Sequence, residues 1–134
     1  MATPRQKLIK QLDSIFSKFV RMRDADDSGM ATCISCGAVK KWREGDAGHF
    51  ISRGKMSTRY DEQNVHFQCK KCNIFRNGEQ YLYSLALDRK YGEGTAERIY
   101  LESNKTKKTS IGELRRMIKH YTRQVDEITK QKGI

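Results

Sequence analysis

Four cysteines fall in two short pairs, CISC at 33–36 and CKKC at 69–72, and two of the three histidines lie between them: His66 close to the second pair, and His49 in GDAGHFISRG at 45–54. A C-x-x-C turn offers two thiolates at short range, and two such turns close a tetrahedral zinc shell. Four sulfur ligands leave no position for water or substrate, so a zinc at Cys33, Cys36, Cys69 and Cys72 would be structural. It would close a loop containing His49, and its binding free energy would become part of the folding free energy. An iron–sulfur cluster or a redox dithiol would use the same cysteines but would leave the histidine without a task. His49 has an ordinary pKa near neutrality, which suits a general base. Taken alone it would read as a structural histidine, so its meaning depends on what surrounds it.

The bulk of the chain points to a polyanionic partner. It has 134 residues, enough for a single domain, with 37% hydrophobic and 32% charged residues, a net charge of +11 and a pI near 9.7. Such an excess favours DNA or RNA first and an anionic membrane surface second. Residues 33–76 carry nine Lys/Arg against four Asp/Glu, and residues 105–134 carry nine against three. No run approaches the roughly 18 apolar residues of a membrane span. The opening MATPRQKLIKQL has no apolar segment of a secretory signal. An intracellular, reducing location is expected, where cysteine pairs serve metals rather than disulfides.

Local patterns predict the elements that must position these groups. Leu8, Leu12, Ile15, Phe16, Phe19 and Val20 give residues 5–23 the periodicity of an amphipathic helix, with Pro4 suited to its first turn. Asp24–Gly29, DADDSG, is a turn with only superficial likeness to a calcium loop. Trp42, then His49, Phe50 and Ile51, suggest short strands, Val65–Gln68 another, and a helix is permitted from Lys70, with Gly78 as an interruption. Residues 79–91 read as a helix with Tyr81, Leu82, Leu85 and Ala86 on one side, and Thr95–Glu102 as a short helix. Ser110 and Glu113 form a capping box before a final helix with Leu114, Met117, Ile118, Tyr121, Val125 and Ile128 inward.

Taken together, GDAGHFISRG and QNVHFQCKKCN resemble an H-N-H, or His-metal finger, nuclease, in the zinc-stapled form found in endonuclease VII-type junction enzymes. The run from LDSIFSKFVRMRDAD through TCISCG, DAGHFISR, STRYDEQNVHFQCKKCN and GEQYLYSLALDRKYGEGT resembles the phage NinG, or Rap, recombination family, over roughly residues 8–100. The resemblance implies an α+β fold: a small zinc-stapled ββα-metal core at 30–76, flanked by the N-terminal helix at 5–23 and a helical C-terminal part at 79–134. It implies cleavage of branched DNA, Holliday junctions and D-loops included, in the cytoplasm of a phage's bacterial host. His49 would be the base, Asn64 would hold the His49 loop across the turn, and Asn73 would offer an oxygen to a catalytic magnesium or manganese. Many relatives have Asp immediately before the His; here that residue is Gly48, so Asp46, two residues back, is the candidate second ligand, with Asp61 and Glu62 as alternatives. Arg53, Lys55, Arg59, Lys70, Lys71 and Arg76 near the finger, and Arg115, Arg116 and Lys119 on the last helix, are the candidate DNA contacts.

His66 is expected as a strand residue near the site, and Trp42, Tyr60 and Phe67 as core packing rather than base stacking. No membrane or small-molecule ligand is expected, and a homodimer joined through the first or last helix would supply two active sites for two strands. Two rival readings use the same features: a non-catalytic zinc-stapled DNA- or RNA-binding module, and a nicking nuclease of ordinary duplex.

Overall fold

A computed structural model describes all 134 residues. Helix α1 runs Pro4–Arg23. The complete capping box belongs here, not at the last helix: the Thr3 hydroxyl accepts from Gln6 N–H at 3.1 Å while the Gln6 side chain accepts from Thr3 N–H at 2.8 Å. At Ser110 only one half forms, with the hydroxyl accepting from Glu113 N–H. Helix α5, Ile111–Lys132, lies along α1 in the same direction. Arg5 near the start of α1 donates to the Thr109 carbonyl, and Lys132 at the end of α5 donates to the carbonyls of Met22, Arg23 and Ala25.

Leu12, Phe16, Phe19 and Val20 of α1 meet Leu114, Tyr121 and Val125 of α5. The Phe16 and Tyr121 rings stand edge-on with centroids 4.9 Å apart. Each such side chain contributes about 1.5–3 kcal/mol on burial, so this seam is the main apolar store of the molecule. Trp42, Val65 and Phe67 extend it, with Tyr60 packed against it.

Strands β1 (Met30–Thr32) and β2 (Val39–Lys41) form an antiparallel hairpin whose tip carries Cys33 and Cys36. A 3-10 turn, Trp42–Glu44, leads into β3, Gly45–His49. Strand β3 pairs antiparallel with β4, Val65–Cys69, with Gly45 opposite Cys69 and His49 opposite Val65. Phe50 and Ile51 therefore lie past the strand rather than in it. The connection holds a short helix, α2, at Met56–Arg59 that the sequence pattern did not announce.

After β4 comes a five-residue π-helical turn, Lys71–Phe75, rather than a long helix. Asn77, Gly78 and Glu79 all have positive φ, which ends it. Helix α3 (Gln80–Tyr91) buries Tyr83, Ala86 and Leu87, while Tyr81, Leu82 and Leu85 point outward, the reverse of the expected face apart from Ala86. The buried set packs with Ala96 and Ile99 of α4 (Thr95–Ser103) as a second small core. The architecture is α+β, built from two two-stranded sheets and five α-helices.

The 24–29 turn is tied into the fold through its own carboxylates. Asp26 accepts from Ser28 and Met30 N–H, and Asp24 is held by Arg23 at 2.8 Å and accepts from Phe67 N–H. Its best-placed carboxylates are thus spent on the fold.

Candidate active-site cleft and metal site

Hairpin β1–β2 and the end of β4 bring the four cysteines together. Their sulfurs all lie within 4.8 Å of one another, with Cys36 Sγ 3.7 Å from Cys69 Sγ. Sulfurs placed tetrahedrally at about 2.3 Å from a zinc would be about 3.8 Å apart. The donor set and spacing therefore fit a zinc-type metal. Gly37, at φ +78°, closes the first pair by donating to the Cys33 carbonyl, and Ile34 N–H bonds the Phe67 carbonyl, which fixes this turn on β4.

The second cysteine pair leads directly into the π-helical turn that carries Asn73. Its Nδ2 donates to Asp46 Oδ2 at 3.0 Å, leaving Asn73 Oδ1 and the carboxylate as neighbouring oxygens. Lys70 holds the other oxygen, Asp46 Oδ1, at 2.9 Å. The Lys70–Asp46 pair is half open to solvent and contributes little.

His49 ends β3. Its Nε2 lies 2.9 Å from the Arg59 carbonyl, which can only accept, so Nε2 carries the proton and Nδ1 keeps its lone pair. Burial pushes its pKa below the ordinary value; the Arg59 carbonyl opposes this and the Arg53 guanidinium adds to it. The ring is therefore neutral at pH 7. The Arg59 carbonyl is itself held in place. The Arg59 guanidinium grips Asp13 of α1 through two bonds of 3.0 and 2.6 Å and also donates to the Arg53 carbonyl. Tyr60 donates its hydroxyl to the same Asp13. Arg59, a candidate phosphate clamp by position, is thus largely spent on positioning.

Asn64 is fully buried and pins the loop behind His49. Its Oδ1 accepts from Ile51 N–H at 2.8 Å, and its Nδ2 donates to the carbonyls of Ile51 and Thr58. From the other side, the buried Tyr83 hydroxyl donates to the Gly48 carbonyl at 2.6 Å. His66, also buried, pairs with the Tyr91 hydroxyl at 2.6 Å, and burial lowers its pKa to about 3. It lies in β4 beneath α3, outside the cleft.

The two strand glycines are steric necessities. A Cβ at Gly45 would sit 2.3 Å from the Phe67 ring, and one at Gly48 would sit 1.8 Å from Gln68 Oε1. Gln68 is buried, with Nε2 donating to Ser35 Oγ and to the Gly78 carbonyl. The space an aspartate side chain would enter at 48 is therefore occupied by Gln68.

His49, Asp46, Asn73, Arg53 and Lys70 share one cleft of about 590 Å³, with Arg21, Arg43, Asp13, Ser17 and Ser52 completing its wall. Arg21 and Arg43 both lie over the Trp42 ring, at 5.3 and 4.4 Å, and neither is ion-paired. The sequence reading missed these groups. Their signal was the four-residue spacing of Asp13, Ser17 and Arg21, which places a polar row beside the apolar face of α1. Asp61 and Glu62, the alternative ligands, lie outside the cleft wall, and Glu62 accepts from the Tyr121 hydroxyl. Lys55, Lys71 and Arg76 are exposed but do not line the cleft, and Arg115, Arg116 and Lys119 lie on α5.

No helix is long and apolar enough to cross a membrane. No solved structure matches the chain. It is 35% identical over 102 residues to protein ninG of Escherichia phage 933W, covering 75% of this chain and 47% of that protein. It is 34% identical to protein ninG of Escherichia phage lambda over 102 residues, with the same coverage of each chain, and 34% identical to that of Salmonella phage P22 over 97 residues, covering 72% and 45%. The chain spans about half the length of these curated relatives. The family described as Bacteriophage Lambda NinG protein matches residues 1–131, nearly the whole length, so the chain belongs to the NinG family.

Proposed function

We propose that this protein is a metal-dependent endonuclease of the His-metal finger kind, acting on branched recombination intermediates such as Holliday junctions and D-loops. The supporting observation is the cleft. A neutral imidazole with a free Nδ1 lines the same space as the Asp46–Asn73 oxygen pair and the guanidinia of Arg21, Arg43 and Arg53. The net charge of +11 supports a polyanionic substrate; DNA, and the preference for branches, rest on the resemblance to recombination nucleases.

In this reading His49 Nδ1 takes the proton from the attacking water. Arg21, Arg43 and Arg53 receive the phosphate and offset its developing charge. A magnesium or manganese ion, when bound, would supply Lewis-acid charge at the scissile phosphate. Asp46 and the Asn73 amide oxygen would hold it; hard oxygen donors in a set this small suit a cation that keeps several waters. Zinc in the four-cysteine site would fix Cys72 and hence Asn73 without entering the chemistry.

Two strands at a junction are most simply cut by two copies, so a homodimer is part of the proposal, and sedimentation of protein with junction checks it. The main test is cleavage of labelled four-way junction and matched linear duplex, with and without magnesium or manganese. His49→Ala with normal zinc content is the control. Metal-dependent cutting of the junction, abolished in His49→Ala, is expected. Tight binding with no cutting under any condition would instead identify a zinc-stapled binding module, and equal cutting of linear duplex a nicking nuclease.

A further inference from the structure

A second concave surface lies beside the cleft, along the neighbouring ridge of α1. Lys7, Lys10, Ser14 and Lys18 of α1 face Ile118 and Thr122 of α5 across a groove of about 500 Å³. The four α1 residues recur at helical spacing, so they form one row. Arg115 precedes Ile118 by three residues, and Lys119 precedes Thr122 by three, which places both on the α5 rim. None of these five cations is ion-paired. The carboxylate nearest to them on α1, Asp13, is turned into the cleft and held by Arg59.

We infer that this groove seats the phosphate backbone of duplex DNA flanking the segment in the cleft. The inference rests on the DNA-directed reading above and adds a second contact surface to it. Charge decides the occupant. A second copy of this chain related by a two-fold axis would bring the same five cations against themselves, which moves any dimer contact away from this face. Membrane insertion is equally unsuited, because Ile15 and Ile118 at the floor are partly covered and no aromatic residue lines the groove.

Position links the groove to the cleft. Ser17 and Arg21 line the cleft, while Ser14 and Lys18, three residues before each, line the groove. The two sites thus occupy neighbouring ridges of one helix about 10 Å across. Each strand of a duplex presents a phosphate about every 3.4 Å of helix axis, so a backbone crossing α1 meets both.

The test is equilibrium binding of a labelled 30-base-pair duplex to zinc-loaded full chain, without added magnesium or manganese, across a salt series. The slope of log K against log salt falls by about 0.9 per lost phosphate contact. K7A/K10A/K18A should therefore reduce the slope by roughly 2 to 3, whereas K90A/K107A/K108A, equal in charge change, should leave it unchanged. If the Lys18 substitution lowers the melting temperature, K7A/K10A, both exposed, should still reduce the slope by nearly 2. A groove variant with the parent slope would overturn the inference, as would a change in its sedimentation without DNA. A parent protein that shows no salt-dependent binding would instead overturn the DNA-directed reading itself.

Discussion

Placing at 48 the aspartate that many His-metal finger enzymes carry before their histidine should damage this protein. In Gly48→Asp the new Cβ would lie 1.8 Å from Gln68 Oε1 and 2.6 Å from its Cδ. The strand cannot yield, because Gly48 is paired with His66 and its carbonyl is held by Tyr83. Gln68 must therefore move and release Ser35 Oγ and the Gly78 carbonyl. Overpacking of this kind costs about 1–3 kcal/mol, and each buried group left unpaired costs about 1–3 kcal/mol more. A total near 4 kcal/mol lowers the melting temperature by about 15 °C for a domain of this size. Thermal melts followed by circular dichroism measure it. Gly48→Asp combined with Gln68→Ala should melt above Gly48→Asp alone, a non-additive cycle that reports the contact. A Gly48→Asp protein melting within a few degrees of the parent would refute the steric account.

Three further outcomes follow from the site. Cys69→Ser should lose bound metal and cooperative unfolding together, read by metal content and by a melt, since the metal would join the β1–β2 tip to the end of β4. Asn64→Ala removes three bonds from a fully buried side chain and should cost about 3 kcal/mol in urea unfolding; on the proposed reading, cleavage should fall as well, because the His49 loop loosens. His66 takes a proton only near pH 3 when folded but near 6.5 when unfolded. Its stabilising effect is therefore complete above 6.5 and is lost as the pH falls toward 3. Between pH 7.5 and 5 the loss is about 2 kcal/mol, and it should be absent from His66→Leu in paired urea titrations.

Much of the helical frame was legible because it is written as local periodicity: α1 and α5 each repeat an apolar stripe over more than three turns. The cysteine cluster was legible for a related reason, since C-x-x-C fixes two sulfurs by local geometry and only one partner pair exists. Sequence pattern failed where a tertiary neighbour decides. Helix α3 has apolar residues all round, so its buried face depends on where α4 sits, and Tyr83 rather than Tyr81 turned inward. Helix α2 is a single turn with no period to detect. Arg21 and Arg43 meet only across Trp42, a contact spanning α1 and the 3-10 turn that precedes β3. The meaning of Gly48 was hidden because Gln68 reaches it from the neighbouring strand.

The partner that fixes the His49 tautomer is a backbone carbonyl. No point mutation deletes such a group, so the protonation pattern of the imidazole is insulated from sequence drift in a way that a carboxylate partner would not be. Vulnerability moves outward, to the side chains that aim the carbonyl, and above all to the Asp13–Arg59 clamp reaching in from α1. Substitutions arising there would shift the carbonyl, and with it the imidazole, by degrees, from a helix that contributes no atom to the ring's own hydrogen bond.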